Sequence, residues 1–327
     1  MAHFSYMATA SLDQHKTEQD VPAKEIRQLA TEKQAIILAH NYQWPEVQDV
    51  ADIVGDSLGL SMEAQKTNAK IIVFCGVHFM AETAKILNPD RKVLLPNLAA
   101  GCALADSITP ESLEDWMKRY PDHTVVTYVN SSAEVKAMSH ICCTSANVVA
   151  VVRSLPSKKI LFTPDKNLGN WVKKQIPEKE IVVYDGACPT HDILRSVNPK
   201  KMKEKIPDAV IIAHPECRED VIAIADEVCS TTAMLSRVEK YPDTKTFIIA
   251  TEFGIIHQLK KRFSDKEFIS ADGCIGCRLH CPYMKATTLE NVYSAINEEI
   301  HEIVVPSDII EGAQRALKRM LAVPRDN

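Results

Sequence analysis

Nine short apolar runs of about four to seven residues recur along the chain, separated by helix-length amphipathic stretches. Apolar runs of that length read as strands buried on both faces, and their alternation with amphipathic stretches marks parallel βαβ units. The nine fall into three sets. The first holds Ile36-Ile37-Leu38-Ala39, Val125-Val126-Thr127-Tyr128 and Val210-Ile211-Ile212-Ala213; the second begins at Ile71, Ile160 and Phe247, and the third at Val93, Ile181 and Glu267. The spacing from first to second run is 35, 35 and 37 residues, and from second to third 22, 21 and 20. Unrelated strands would not repeat so closely, so the chain reads as one unit written three times.

Polar residues repeat with the runs. The first run of each unit leads to His40-Asn41, to Asn130 or to His214, and a hydroxyl follows 17, 15 and 17 residues later at Ser57, Ser145 and Thr231, each opening a helical pattern. Each third run ends at a Gly/Cys turn: Gly101-Cys102, Gly186-Ala187-Cys188 and Gly273-Cys274. In open α/β sheets, ligand sites lie beyond the carboxyl ends of the strands, where helix N-termini offer free N–H groups to anions. The predicted fold class is therefore α/β: three homologous three-layer α/β/α sandwich domains with parallel sheets around a pseudo-three-fold axis, and an active site at the shared centre. The expected division is an N-terminal tail over 1–20 and units over 21–108, 109–195 and 196–285, with C-terminal helices closing the fold over 286–327. Exchange of short segments between units is allowed for.

Composition narrows the function classes. The 327 residues are 46% hydrophobic and 25% charged, as in ordinary folded proteins. A net charge of −5 with no strongly basic region gives no footprint for nucleic acid. Only 10 glycines are present, with neither GxGxxG nor GxxxxGK[ST], so the common nucleotide-phosphate cradles are missing. No apolar run approaches the roughly 18–20 residues of a membrane span, and the start lacks a signal-peptide core, so the expectation is a cytoplasmic protein with no membrane partner.

Ten cysteines in such a chain point to metal binding or redox chemistry. Buried cysteines often behave as small hydrophobes, and Cys75, Cys142, Cys143, Cys217 and Cys229 read as such core residues. The Gly-flanked cysteines are different. Three thiolates are too few for a structural zinc site unless a histidine completes it, whereas three on a four-iron cubane leave one iron open as a Lewis acid. Dehydration is the natural chemistry of such a site. The cluster Cys274-x-x-Cys277-x-x-x-Cys281 adds further thiols whose role spacing alone does not assign.

Longer matches extend from about residue 35 to 300. They include Ala39-His40-Asn41-Tyr42-Gln43, Gly55-Asp56-Ser57-Leu58, Gly101-Cys102-Ala103-Leu104-Ala105-Asp106, Thr127 through Lys136, Cys188-Pro189-Thr190-His191, His214-Pro215-Glu216-Cys217 and Cys281-Pro282-Tyr283-Met284-Lys285. In these the chain resembles the quinolinate synthase family, the A protein of de novo NAD biosynthesis. The resemblance implies condensation of iminoaspartate with dihydroxyacetone phosphate to quinolinate, with loss of phosphate and two waters, on a [4Fe-4S] cluster. It implies Cys102 and Cys188 as ligands, with a third at Cys281 by local context, although the repeat offset favours Cys274. Cys274 and Cys277 would then resemble the redox-sensitive pair of some members, with a longer spacing to Cys281.

By the same resemblance, His40, Ser57, Tyr128, Asn130, Ser145, His191, His214, Glu216 and Thr231 surround substrate, and Glu216, Tyr42 and His214 are the catalytic candidates. Glu216 is the expected general base, its pKa raised in a closed pocket, with Tyr42 relaying to it or orienting it. The implied partners are the two substrates, an L-aspartate oxidase or dehydrogenase supplying iminoaspartate, and iron–sulfur assembly machinery. Another [4Fe-4S]-dependent hydroxy-acid dehydratase, an iron–sulfur redox sensor and a structural zinc protein are the competing readings.

Overall fold

The computed structural model describes residues 21–273 and 279–326. Cys274 and Cys277 and the tail over 1–20 lie outside the described residues. The described chain forms three parallel four-stranded sheets, each with the same strand order, second-first-third-fourth. The first sheet contains β1 (Ala35–His40), β2 (Ile53–Gly55), β3 (Ile71–Cys75) and β4 (Lys92–Leu94). The second contains β5 (Thr124–Tyr128), β6 (Ile141–Cys143), β7 (Lys159–Thr163) and β8 (Glu180–Val183). The third contains β9 (Val210–Ala213), β10 (Glu227–Val228), β11 (Thr246–Ala250) and β12 (Glu267–Ser270). The three-fold repeat of the sequence is thus a three-fold repeat of sheet topology.

Nine apolar runs become twelve strands among the described residues. The additional three, β2, β6 and β10, occupy one edge of each sheet and span only two or three residues, too short for an apolar run to register. Each leads into the turn that bears a predicted hydroxyl.

Burial explains the pattern. Parallel strands covered on both faces must be apolar throughout, and all five residues of β3 are buried. Successive side chains still serve different cores. Ile37 and Ala39 of β1 and Ile71 and Val73 of β3 pack outward with Ile26 of α1 (Ala23–Glu32) and Val292 and Ile296 of α14 (Leu289–Glu298). Leu38, Ile72 and Phe74 point the other way into a core shared with Val126 and Phe162 of the second sheet and Ile212 and Phe247 of the third. One face of every sheet therefore contributes to a common interior, and the strand carboxyl ends are brought together.

Residues after the third sheet return to the first two. Ile303 N–H donates to Val93 O at 2.8 Å and Leu95 N–H to His301 O at 3.1 Å, extending the edge at β4. Helix α15 (Ser307–Leu321) packs on α4 (His78–Leu87), α6 (Ala133–Ala137) and β6. Its Gly312 permits this approach, since a Cβ there would stand 2.9 Å from Ala137 O.

Candidate active site at the meeting of the three sheets

A cavity of about 40 Å³ lies at the strand carboxyl ends. The first unit lines it with His40, Tyr42, Asp56, Ser57 and Met80, the second with Tyr128, Asn130, Thr144 and Ser145, and the third with His214, Glu216, Thr231 and Met284. His40 is the last residue of β1, Tyr128 the last of β5, and His214 directly follows β9. A site drawn from all three units follows from the shared core: the strands that fill the interior also aim their ends at one point.

Ser57 and Thr231 open α3 (Ser57–Lys66) and α12 (Thr231–Glu239) as expected. Ser145 does not open a helix: α7 (Val148–Ser154) starts three residues later, with Asn147 as its cap. An extra turn intervenes because Asn147 Oδ1 accepts the Thr144 N–H at 2.9 Å, folding the segment on itself before the helix begins. Ser145 is instead held by His214, whose Nε2 lies 3.1 Å from its Oγ. Asn41 Nδ2 donates to Thr231 Oγ1 at 3.0 Å, tying the β1 end to the third unit.

His40 and Tyr42 form a local motif in which the Tyr42 N–H donates to His40 Nδ1 at 3.1 Å. A neutral His40 ring therefore carries its proton on Nε2. The same relation recurs where the Glu216 N–H approaches His214 Nδ1 at 3.3 Å. Burial favours the uncharged imidazole, pulling His40 down to about 4 and His214 to about 3, against the opposing pull of nearby carboxylates.

Glu216 differs from expectation. Burial alone would raise its pKa, but His191, whose Nδ1 lies 2.8 Å from Oε2, together with His214 and the Tyr128 hydroxyl, brings the carboxyl down to about 2. Nearby charge and hydrogen bonds outweigh desolvation here. Its other oxygen, Oε1, is buried with no partner among the described residues, as is Asn130 Oδ1. Tyr42 is not hydrogen-bonded to Glu216. Its hydroxyl meets Thr251 Oγ1 and also lies 3.4 Å from His191 Nε2, and Thr251 Oγ1 lies 2.8 Å from the same nitrogen, so Tyr42 connects to the carboxylate through His191, both directly and by way of Thr251. His191 stacks on His214 with ring centres 4.9 Å apart and has both nitrogens engaged. It stands behind the cavity wall rather than in it.

The cysteines divide as the sequence divides them. Cys75, Cys142, Cys143, Cys217 and Cys229 are buried, whereas Cys102, Cys188 and Cys281 are partly exposed. These three come from three units and lie close enough that Cys102 and Cys281 reinforce the effect of burial in raising the Cys188 thiol, as Cys281 does for Cys102, which is pushed up to about 12. Such mutual opposition to ionisation is relieved by a shared cation, because a metal ligates the thiolate form. Cys188 Sγ lies 3.2 Å from His191 Nδ1, and the donor atoms of Cys188, His191 and Glu216 all fall within 4.8 Å of one another. The donor set suits a metal centre abutting the cavity.

Two buried carboxylates that sequence reading missed hold the cysteine loops. Asp165 Oδ2 accepts the Cys188 N–H at 3.1 Å and Glu252 Oε1 accepts the Cys281 N–H at 3.3 Å. Each acid lies five residues past the start of its unit's second run, Ile160 or Phe247, so the repeat offset carried a usable signal. Glu252 is paired in turn with Lys285, Nζ to Oε1 3.2 Å, and Lys285 also donates to the carbonyl oxygens of Tyr42 and Gln43. Gly254 is required beside this junction: a Cβ would come within 2.8 Å of Tyr42 Cα. At the second unit's turn, a Cβ on Gly186 would stand 2.6 Å from Pro164 O.

A sequence profile of the family described as quinolinate synthetase A protein matches residues 24–322. Curated proteins named quinolinate synthase are similar over nearly their whole length. The protein from Geotalea uraniireducens is 52% identical over 308 residues, covering 94% of this chain and 99% of the relative. That from Geobacter metallireducens is 52% identical over 307 residues, with 94% and 99% covered. That from Thermodesulfovibrio yellowstonii is 50% identical over 300 residues, with 92% and 97% covered. The chain belongs to the quinolinate synthetase A protein family, a family of enzymes. No helix among the described residues is long and apolar enough to cross a membrane.

Proposed function

We propose that the chain condenses iminoaspartate with dihydroxyacetone phosphate to quinolinate, releasing phosphate and two waters, as a step of de novo NAD biosynthesis in the cytoplasm. The observation that carries the reading is the convergence of Cys102, Cys188 and Cys281, one from each unit, beside a cavity rich in hydrogen-bond donors. These cysteines would hold a [4Fe-4S] cluster, which supplies a Lewis-acidic iron with one position free of protein.

Both substrates are anions, and the cavity offers them neutral and polarised donors. His40 presents Nε2–H, and the hydroxyls of Ser57, Ser145 and Thr231 are available to carboxylate or phosphate oxygens, with the α3 and α12 N-termini behind the first and last. Keeping His40 and His214 uncharged makes them donors that do not trap a dianion electrostatically. Asn130 and Tyr128 complete the second unit's wall.

Glu216 is the proton acceptor. Its ligand-free carboxyl is strongly acidic because His191 holds it, and a dianion entering a buried site raises the proton affinity of any carboxylate already there. Oε1 is the oxygen left to take the C–H proton during isomerisation, while Oε2 stays on His191. Tyr42 and Thr251 keep the far side of His191 in place, and His214 presses on its ring.

The iminoaspartate would come from an L-aspartate oxidase or dehydrogenase, and the cluster from iron–sulfur assembly machinery. The test is to supply both substrates to the cluster-loaded protein under argon and to look for quinolinate by chromatography. Quinolinate dependent on both substrates supports the reading. Turnover of a hydroxy acid without dihydroxyacetone phosphate would transfer the site to a dehydratase.

A further inference from the structure

Two carboxylates line the cavity, Asp56 and Glu216, although the proposed ligands are themselves anions. Each is held from outside the cavity wall. Glu216 is held by His191, as described above. Asp56 is held by Arg325, which donates from Nη1 to Oδ2 at 2.6 Å and from Nη2 to Oδ1 at 2.9 Å, a two-pronged contact reaching 269 residues along the chain. Asp56 also caps α3, its Oδ1 accepting the Gly59 N–H at 2.9 Å, and the next residue is Ser57.

The segment that delivers Arg325 holds the second unit as well. Asp326 accepts the N–H groups of Val149 at 3.0 Å and Ala150 at 2.7 Å, and its own N–H donates to Ala146 O at 2.7 Å, one residue beyond Ser145. Asn147 Nδ2 reaches back to Met320 O at 3.2 Å. A short stretch after α15 thus grips the turns bearing Ser57 and Ser145 from behind.

We propose that Arg325 is a positioning residue of the substrate pocket: it neutralises Asp56 and fixes the first turn of α3, so that the cavity accepts a dianion beside a buried carboxylate. The inference rests on the anionic substrates assigned above, but not on the identity of the product. Without Arg325, Asp56 faces an incoming dianion uncompensated, and juxtaposed like charges in a buried site oppose binding strongly. Asparagine at position 56 would preserve the cap, because Asn and Asp serve equally well there, while removing the charge that Arg325 balances. Charge neutralisation and mere structural support therefore make opposite predictions for the double variant.

The experiment is calorimetric titration of succinate, a dianion at neutral pH, into the full chain purified anaerobically with its metal. Wild type, Arg325→Met, Arg325→Lys and Asp56→Asn/Arg325→Met are compared, and thermal melting confirms that each is folded. Arg325→Met is expected to weaken succinate binding about tenfold or more, Arg325→Lys less, and the double variant to bind within about threefold of wild type. Wild-type affinity in Arg325→Met, equal weakening in the double variant, or no succinate binding by wild type each overturns the proposal. Should Arg325→Met fail to fold, Arg325→Lys against Asp56→Asn/Arg325→Lys makes the same comparison. Absence of quinolinate with the succinate pattern intact would strike the proposed reaction and leave the role of Arg325 standing.

Discussion

His191 Nδ1 stands 2.8 Å from Glu216 Oε2, and both side chains are buried. This contact decides the state of the site. It turns a carboxyl that burial would make a weak acid into a strong one, and it commits one oxygen so that Oε1 alone is left to a ligand. Removing the charge should therefore affect chemistry more than folding. Glu216→Gln is expected to lower kcat by about 10²-fold or more, in the range of a lost general base, with iron content unchanged. Retention of turnover within threefold of wild type would remove Glu216 from the reaction.

Thr251 bridges Tyr42 and His191 and does not line the cavity. Thr251→Val keeps the shape and deletes both hydrogen bonds, so kcat should fall by roughly tenfold with little change in KM, in keeping with the loss of buried hydrogen bonds. Thr251→Ser restores the hydroxyl and should recover most of the loss. A defect in Thr251→Ser as large as that in Thr251→Val would show that restoring the hydroxyl does not rescue the site, and would remove these hydrogen bonds from the account of kcat.

Lys285 and Glu252 form a buried ion pair that joins the Cys281 loop to the backbone at Tyr42 and Gln43. Lys285→Met strands Glu252 without its partner and should cost about 3–5 kcal/mol, as for other broken buried pairs. The Glu252→Gln/Lys285→Met protein should regain part of that loss. Thermal melting of the three proteins checks this, with additive losses as the contrary result.

Acid should destabilise the fold through His40 and His214, whose folded pKa values lie at about 4 and about 3 against an ordinary 6.5. Between pH 6.5 and about 4 the unfolded chain binds protons that the folded chain refuses, so stability falls as pH falls through that window. Near pH 4.5 the two together should cost a few kcal/mol, roughly 2 kcal/mol each. Chemical denaturation of the metal-free chain at pH 7 and 4.5 measures it. Replacing both histidines with glutamine should flatten part of the slope, and an unchanged slope would assign acid lability to other groups.

The strands that define each sheet were legible because a parallel strand covered on both faces leaves an unbroken apolar run, as Ile71 to Cys75 does. The edge strands were not, since Glu227–Val228 contains no period to detect. Register of the run ends correctly anticipated that Ser57 and Thr231 open helices, and failed at Ser145, where the side chain of Asn147 adds a turn. The low pKa of Glu216 was invisible because the histidine responsible belongs to a different unit and meets it only in three dimensions. For the same reason nothing near Asp56 in the sequence announces Arg325. Asp165 and Glu252, by contrast, share a repeat offset that a search of the repeats for matched acids would have found.

In the proposed reaction three cysteines from three units, Cys102, Cys188 and Cys281, serve one centre. The direct measurement is quinolinate formation, with iron determined on the same samples, by wild-type protein and by Cys102→Ser, Cys188→Ser and Cys281→Ser, each reconstituted anaerobically. Wild type should carry about four irons per chain and make quinolinate from iminoaspartate and dihydroxyacetone phosphate, while every single variant loses both iron and product though it stays folded. Product from a Cys188→Ser protein free of iron would contradict it.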